Sequence, residues 1–499
     1  MRAFQFKFGK RKFFEYDGFI MEEKKRVFIS TAIPYVNAKP HIGFALELVQ
    51  ADTYARFKRS EGADVFFLTG TDENSLKNVQ AAEEAGKETS VFVEKNAKFF
   101  EKLVQDLSIS NDDFIRTSVE ERHKRGAEKL WKACQHDIYK KKYKGFYCVG
   151  CEEFKTEKDL NEKGRCPEHP NKDIEIVEEE NYFFKLSNYQ EKLKEAIETG
   201  KIQIIPEKRK NEMLSFIKTG LEDFSISRSK ERAKGWGISV PKDENQVMYV
   251  WFDALTNYIT ALDYANKGEK FKEYWEGAEE IIHIIGKGIN RFHTIYWPAV
   301  LLSAGERMPN KVFAHGYVTA GGQKMSKSLG NVIDPFSLIE KYGAEAVRYY
   351  LLREIPAYED GDFSIEKFEA RYNGDLANGL GNFASRVLKL YSEYGGEETE
   401  ALVDLEKVEE IKEKIGEFKF NEAIALIFEM ITVGDKYFNE KKPWETKDES
   451  IIGDTVGLLK KVAELLIPFL PGTAEKILGK IKNKEAIKEP LFPRLEKFK

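Results

Sequence analysis

Cysteine is scarce in this chain, with four in 499 residues. A disulfide framework is therefore excluded, and a reducing, cytosolic setting is expected. Long apolar runs are missing as well. No uninterrupted stretch reaches the about 18 apolar residues that a spanning helix needs, and mean hydropathy is -0.50. No membrane association is expected. The first residues lack the apolar core of a secretory signal. Nor is there a basic excess: 79 Lys and Arg stand against 84 Asp and Glu, with a pI near 6.0. That excludes a basic nucleic-acid coat, although a local patch can still serve RNA. Apolar residues make up 42 % of the chain, which is too much for disorder as the main state. At about 100–200 residues per domain, the length predicts about three to five domains.

Residues 1–26 hold eight basic side chains against four acidic ones. They read as a loose extension ahead of the first convincing strand, with an RNA-touching arm as the second reading. Val27 to Ala32 is a short β-rich run. Pro40 then opens a segment with Phe44, Leu48, Ala51 and Ala55 on one helical face, ended by Gly62. Asp64 to Gly70 reads as a second strand. Strand, helix and strand with short connections form a βαβ unit and a parallel sheet. Ser118 with Glu121 predicts a capping box before a helix that carries Cys134 into the core. From about 136 to 220 an inserted module is expected. Val247–Phe252 and Glu280–Gly286 read as two further buried strands, with another around Val312–Val318. Asp334 caps a helix with Pro335 at its first position. Beyond about Leu376 the apolar spacing is helical throughout, which predicts a bundle.

Three patterns carry chemistry. Pro34-Tyr35-Val36-Asn37-Ala38-Lys39-Pro40-His41-Ile42-Gly43-Phe44 lies where a strand gives way to a helix. Free N–H groups and the helix dipole favour an anion there, and Gly43 would allow close approach of a nucleotide. Taken alone, His41 reads as a cap or surface residue. Lys324-Met325-Ser326-Lys327-Ser328 follows Gly321-Gly322. Its two lysines can fold over a triphosphate and screen developing charge; taken alone, it is a solvated basic loop. Cys148-x-x-Cys151 with Cys166-x-x-His169 offers four soft ligands, suited to one structural zinc per chain. With no open position, Lewis-acid catalysis is not expected there.

The first two patterns together, in this order, resemble the HIGH and KMSKS motifs of class I aminoacyl-tRNA synthetases. The resemblance sharpens to the methionyl family and covers most of the chain from about Val27. Thr69-Gly70-Thr71-Asp72-Glu73, Tyr249-Val250-Trp251-Phe252-Asp253-Ala254, Ile285-Gly286-Lys287, Gly381-Asn382 with Arg386, and Pro443-Trp444 also match in order.

The resemblance implies an α/β fold. A split Rossmann-type parallel-sheet catalytic domain would carry a zinc-knuckle insertion, and an all-α helical-bundle domain would follow. The expected division is 1–25 as extension, 26–135 and 223–320 as the two halves of the catalytic domain, and 136–222 as the connective insertion. The loop and a stem-contact region would take 321–375, and the anticodon-binding bundle 376–499. The implied activity is attachment of methionine to its tRNA through methionyl-adenylate, by a cytoplasmic monomer that takes ATP with Mg2+, methionine and tRNA. Ala32, Ile33, Tyr35, Trp251, Ala254, Tyr258, Ile289 and His293 would enclose the thioether side chain, and Asp72 would hold the ammonium group. Aromatic walls favour a polarisable sulfur, and a carboxylate pairs with an amine. His41 and Gly43 would meet ATP, with Lys324 and Lys327 over its phosphates. Catalytic roles fall to His41, Lys324 and Lys327. Asn382, Arg386 and Trp444 would read the anticodon by hydrogen bonding and stacking.

Three positions depart from the family. Phe44 stands where a second histidine is usual, Asn74-Ser75 where His-Gly is usual, and Gly288 where Asp is usual. They carry the second reading, a catalytically weakened tRNA- or RNA-binding paralogue of the same fold.

Overall fold

The computed structural model describes residues 4–8, 11–16, 19–22, 24–148, 150, 153–155, 157–167, 172–325 and 330–495. Its centre is a six-stranded parallel sheet built from β1 (Arg26–Thr31), β2 (Asp64–Thr71), β3 (Asp113–Arg116), β4 (Gln203–Ile205), β5 (Glu280–Gly286) and β6 (Lys311–His315). The strand order is β4-β6-β5-β1-β2-β3, and every neighbouring pair runs parallel. Strands covered on both faces read as continuous apolar runs, and β2 and β5 do so. The predicted βαβ unit is present, with α1 (Ile42–Ser60) crossing between β1 and β2. Helix α1 is buried nearly all round, Glu47, Gln50, Asp52 and Thr53 included. Gly62 ends it in the left-handed region at φ 84°.

Several expectations meet a different outcome. Val247–Phe252 is not one strand. Pairing stops at Met248, and α3 (Val250–Thr260) begins after Tyr249. A short run buried on every side has no period that separates strand from helix. Ser118 does not cap α2 (Glu121–Ala133). Its hydroxyl donates instead to the buried Glu73, and Glu120 takes the cap position. Cys134 is buried as expected, with its thiol against Val300 O at 3.4 Å. The extension is not wholly loose: Phe4–Phe8, Arg11–Tyr16 and Phe19–Glu22 pair as an antiparallel three-stranded sheet.

The inserted stretch forms an antiparallel sheet in the order Phe224–Ser225, Glu175–Phe184, Ile138–Cys148 and Glu153–Lys155. Lys142 stands opposite Glu180 and Lys144 opposite Glu178 across its long pair, a register that places unlike charges face to face. The chain rejoins the central sheet before residue 222, because β4 pairs with β6.

After the loop, Asp334 accepts from Phe336 N–H at 3.0 Å and caps a helix with Pro335 at its start, as predicted. Helix α4 (Ala344–Glu354) leads into the helical region. There α5 (Asn382–Tyr394), Leu405–Gly416, α6 (Phe420–Lys441), α7 (Glu449–Leu466) and Pro471–Asn483 pack around one apolar core. That core is continuous with the face of the sheet that α1 covers. Among the described residues no helix is long and apolar enough to cross a membrane.

Arg348 of α4 joins these parts. Its fully buried guanidinium meets Asp52 Oδ2 of α1 at 2.7 Å and donates to Phe469 O at 2.8 Å, Leu107 O at 3.1 Å and Pro468 O at 3.1 Å. Burial alone would raise the Asp52 pKa. Arg348, Arg56 and the Ser110 hydroxyl outweigh it and hold the carboxyl below its usual range. Asp52 therefore contributes stability above the ordinary carboxylate range, and that contribution is lost as pH falls through its lowered value. Arg348→Met is expected to cost about 3–5 kcal/mol, the scale of removing one partner from a buried ion pair, because Asp52 keeps only Arg56 and Ser110 while three carbonyls lose their donor. Urea unfolding at neutral pH measures it, and adding Asp52→Asn should recover part of the loss. A single variant as stable as the parent would contradict this account.

Candidate active site

The first two sequence patterns come together at the N-terminus of α1. His41 occupies its N-cap, and Nδ1 accepts from Gly43 N–H at 3.0 Å. An accepting Nδ1 leaves the proton of the neutral ring on Nε2, which is then free to donate outward. The ring is solvent-exposed, yet the protein mass beside it lowers its pKa by desolvation. Gly43 is required by this geometry: a Cβ there would lie 2.8 Å from His41 Cε1. It would also lie 3.8 Å from the terminal methyl carbon of Met325, so the two motifs meet. Ile42 N–H donates to Ile333 O at 3.1 Å and ties down the far end of the loop. Lys324 is exposed, with Nζ 4.9 Å from the centre of the Tyr317 ring. Lys327 lies outside the described residues.

A second set of side chains lies beside this end of the sheet. Tyr35 and Asp72 pair as a parallel bridge, and Asp72 N–H donates to Pro34 O at 2.9 Å. Trp251, Ala254 and Tyr258 share α3. Trp251 stacks on Phe292, with ring centres 3.7 Å apart and planes 7° apart. Tyr258 and His293 meet at 2.7 Å, and His293 Nδ1 donates to Ile289 O at 2.9 Å. The carbonyl fixes the tautomer, so Nε2 accepts from the Tyr258 hydroxyl. Ala32 and Ile289 pack on the same small cluster of Ile285, Val312 and Ala314, and Ile33 packs on the larger cluster around α3. Ile33, Trp251, Tyr258 and Ile289 thus pack on one cluster, Ile289 also shares the smaller one with Ala32, Tyr258 meets His293, and Tyr35 is bridged to Asp72.

Several partners were not foreseen from the sequence. Glu47 of α1 is buried; it accepts Ala32 N–H at 2.9 Å and meets His315 Nε2 at 3.0 Å. Asn74 donates to Asp253 Oδ2 at 2.8 Å, and Asp253 meets His123 at 2.6 Å. A carboxylate between the apolar Leu46 and Leu48 of α1 was the available signal for Glu47. The three departures each have a physical setting. Phe44 is 8 % exposed and packs on Phe100 at 5.5 Å, so it belongs to the core. Asn74 takes the amide role just given, and Ser75 caps the helix that follows. A Cβ on Gly288 would sit 2.0 Å from the Tyr317 hydroxyl, so that phenol fills the volume of the missing side chain.

In the bundle, Arg386 donates to Asp435 at 2.9 Å and to Asn439 at 2.6 Å. Its guanidinium lies 4.9 Å from the Phe438 ring and 5.5 Å from the Trp444 ring. Asn382 is exposed one turn before Arg386, and Trp444 is 40 % exposed, so the three share one surface. Of the four zinc candidates, Cys148 and Cys166 are buried, while Cys151 and His169 lie outside the described residues. Among the described residues no group of three or more His, Cys, Asp or Glu is placed to hold a metal. Gly150, between Cys148 and Cys151 in the sequence, accepts from Lys77 Nζ at 2.5 Å.

Known proteins resemble this chain over most of its length. The family described as tRNA synthetases class I (M) matches residues 27–175 and 170–388, and the anticodon-binding domain of tRNA ligase matches 405–499. The methionine–tRNA ligase of Brucella suis biovar 1 (strain 1330) is 42 % identical over 477 residues, covering 91 % of each chain. That of Thermotoga maritima is 41 % identical over 483 residues, covering 92 % of this chain and 76 % of the relative. Among solved structures, Mycobacterium tuberculosis methionyl-tRNA synthetase in complex with methionyl-adenylate superposes with a TM-score of 0.85 at 38 % identity. The match covers 91 % of this chain and 93 % of that one.

Burial pushes His293 down to about 4, although its bond to Ile289 O works the other way. A histidine that is neutral when folded and charged when unfolded contributes stability above its ordinary value of 6.5. That contribution is lost as pH falls from there toward about 4. NMR of the imidazole should show His293 neutral at about pH 5.5. An ordinary midpoint near 6.5 would contradict the pocket as described.

Proposed function

The chain belongs to the class I tRNA synthetases (M), and on that premise we propose that it attaches methionine to its tRNA at the expense of ATP. In the first step a methionine carboxylate oxygen attacks the α-phosphorus of ATP. The bond to the bridging oxygen breaks, and pyrophosphate leaves with Mg2+. In the second step a terminal ribose hydroxyl of the tRNA attacks the methionyl carbonyl and gives up its proton, the bond from that carbonyl carbon to the phosphate oxygen breaks, and AMP leaves. No protein nucleophile is needed, so the chain acts by positioning and by charge stabilisation.

The observation that carries the reading is the junction at α1. His41, Gly43 and Met325 of the two motifs meet at the N-terminus of a buried helix. His41 Nε2–H, the helix dipole, Lys324 and Lys327 are assigned to the phosphates. Asp72 is assigned to the methionine ammonium. Tyr35, Trp251, Ala254, Tyr258, Ile289 and His293, with Ala32 and Ile33, are assigned to its side chain. A neutral His293 that accepts from Tyr258 presents no unpaired charge to the thioether. Asn382, Arg386 and Trp444 are assigned to the anticodon. The reading as a weakened binding paralogue is not favoured, because Phe44, Asn74 and Gly288 each have a packed or hydrogen-bonded partner. Cytosolic location and a monomeric state belong to the same proposal, with support from the cysteine usage for the first.

Zinc held by Cys148, Cys151, Cys166 and His169 is part of the proposal. Supporting it are the paired two-residue spacers and the burial of the two described thiols. The metal would tie the insertion's strand ends together and take no part in the chemistry.

Methionine-dependent exchange of pyrophosphate into ATP tests the first step. Lys327→Ala should slow it about 100-fold or more, the scale of one lost charge-stabilising donor. A wild type without exchange would overturn the synthetase reading. Metal analysis should find one zinc per chain, with Cys151→Ser losing it. Full zinc in that variant would show that the ligand set is misassigned.

A further inference from the structure

Asn74 stands between the end of β2 and the helix Leu76–Glu84. Its backbone N–H donates to Asp72 Oδ1 at 3.2 Å, closing an Asx turn. Its side-chain amide donates to Asp253 Oδ2 at 2.8 Å and to Thr117 O at 3.3 Å. Asp253 is 1 % exposed, and its other oxygen meets Nε2 of the fully buried His123 at 2.6 Å. His123 Nδ1 in turn meets the Thr260 hydroxyl at 2.8 Å. His123 belongs to α2, whereas Asp253 and Thr260 belong to α3, the helix that carries Trp251 and Tyr258.

We infer that Asn74 is a positioning residue for methionine recognition, holding the Asp72 carboxylate at a set distance from the side-chain pocket through the Asp253–His123 pair. The inference rests on the reading of Asp72 as the ammonium partner. An Asx turn takes its direction from the peptide that closes it, and the Asn74 amide fixes that peptide against α3. The carboxylate and the aromatic wall then share one anchor, so the span between an amino acid's ammonium and its side chain is gauged by a rigid frame. Asparagine suits the place because its two amide hydrogens serve Asp253 and Thr117 O together. A carboxylate at 74 would face Asp253 across the same 2.8 Å gap and drive the turn away.

The test is pyrophosphate exchange with methionine and ATP varied separately. Asn74→Asp should raise the methionine KM by about tenfold or more, the scale of a lost charge-assisted hydrogen bond. The ATP KM and kcat should stay within about twofold, because the ammonium contact is alike in ground and transition states. The exchange Asn74→Asp with Asp253→Asn restores one donor facing one acceptor and should recover most of the methionine KM. A residue with a merely structural role would move both substrates together. Should the carboxylate variant not fold, Asn74→Ala removes the tether without adding charge and should give the same split. An unchanged methionine KM, or methionine and ATP KM values rising together, would overturn the inference. Asp72→Asn separates it from its premise. If that variant leaves the methionine KM unchanged, the ammonium reading fails and the inference falls with it. If Asp72→Asn raises the KM while Asn74→Asp does not, the positioning role alone is wrong.

Discussion

One buried guanidinium holds the helical region against the nucleotide-binding sheet. A charge removed from water is tolerated only when every donor finds an acceptor, and Arg348 meets that condition with Asp52 and three carbonyls. Those carbonyls lie where helices end. Leu107 is the C-cap of the helix Thr89–Asp106, and Pro468 and Phe469 follow the last turn of α7. Helix C-termini leave carbonyls unpaired and carry partial negative charge. A single arginine therefore serves two helix ends and one carboxylate, and the bundle cannot shift relative to α1 without exposing all of them.

Helix α1 turns that fixed point into a site. It carries polar groups at three heights, each with a separate partner. His41 caps it and faces solvent. Glu47 binds the Ala32 peptide and His315, at the ends of β1 and β6. Asp52 binds Arg348. At about 1.5 Å per residue, the run from His41 to Asp52 is about 16 Å of rigid rod. The His41 end is thereby held in register with the strand ends that Glu47 ties and with the bundle. The aromatic wall on α3 is joined to the same frame through Asp253 and Asn74.

Much of this was legible in the sequence because it is local. The βαβ unit, the Asp334-Pro335 start and the helical bundle follow from periodicity and capping within a dozen residues, and each was found. The residues assigned to methionine were reached through resemblance, and Ile33, Trp251, Tyr258 and Ile289 among them pack on one cluster. What stayed hidden is non-local or without a period. Tyr249 divides strand from helix inside a run buried on every side, so neither a period of two nor one of 3.6 is visible. Ser118 had a better acceptor in Glu73, 45 residues away, than the helix start beside it. Strand β4 has three residues, too few to show a pattern, and it is identified only by its pairing with β6.

The departures at 44, 74 and 288 show why a motif is incompletely read one position at a time. Each position is a volume and a set of hydrogen bonds shared with a partner far along the chain. Phe44 exchanges a polar contact for packing on Phe100, and Asn74 keeps a donor aimed at Asp253. Gly288 is the sharpest case. Any side chain there would displace the Tyr317 hydroxyl, whose ring lies under Lys287 at 4.7 Å and Lys324 at 4.9 Å. Asp360 holds Lys287 Nζ and the Tyr317 N–H, both at 2.8 Å, so moving the phenol disturbs the peptide that leads into the loop. Glycine at 288 and tyrosine at 317 are thus one choice made at two places, and the loop lysine is positioned by both.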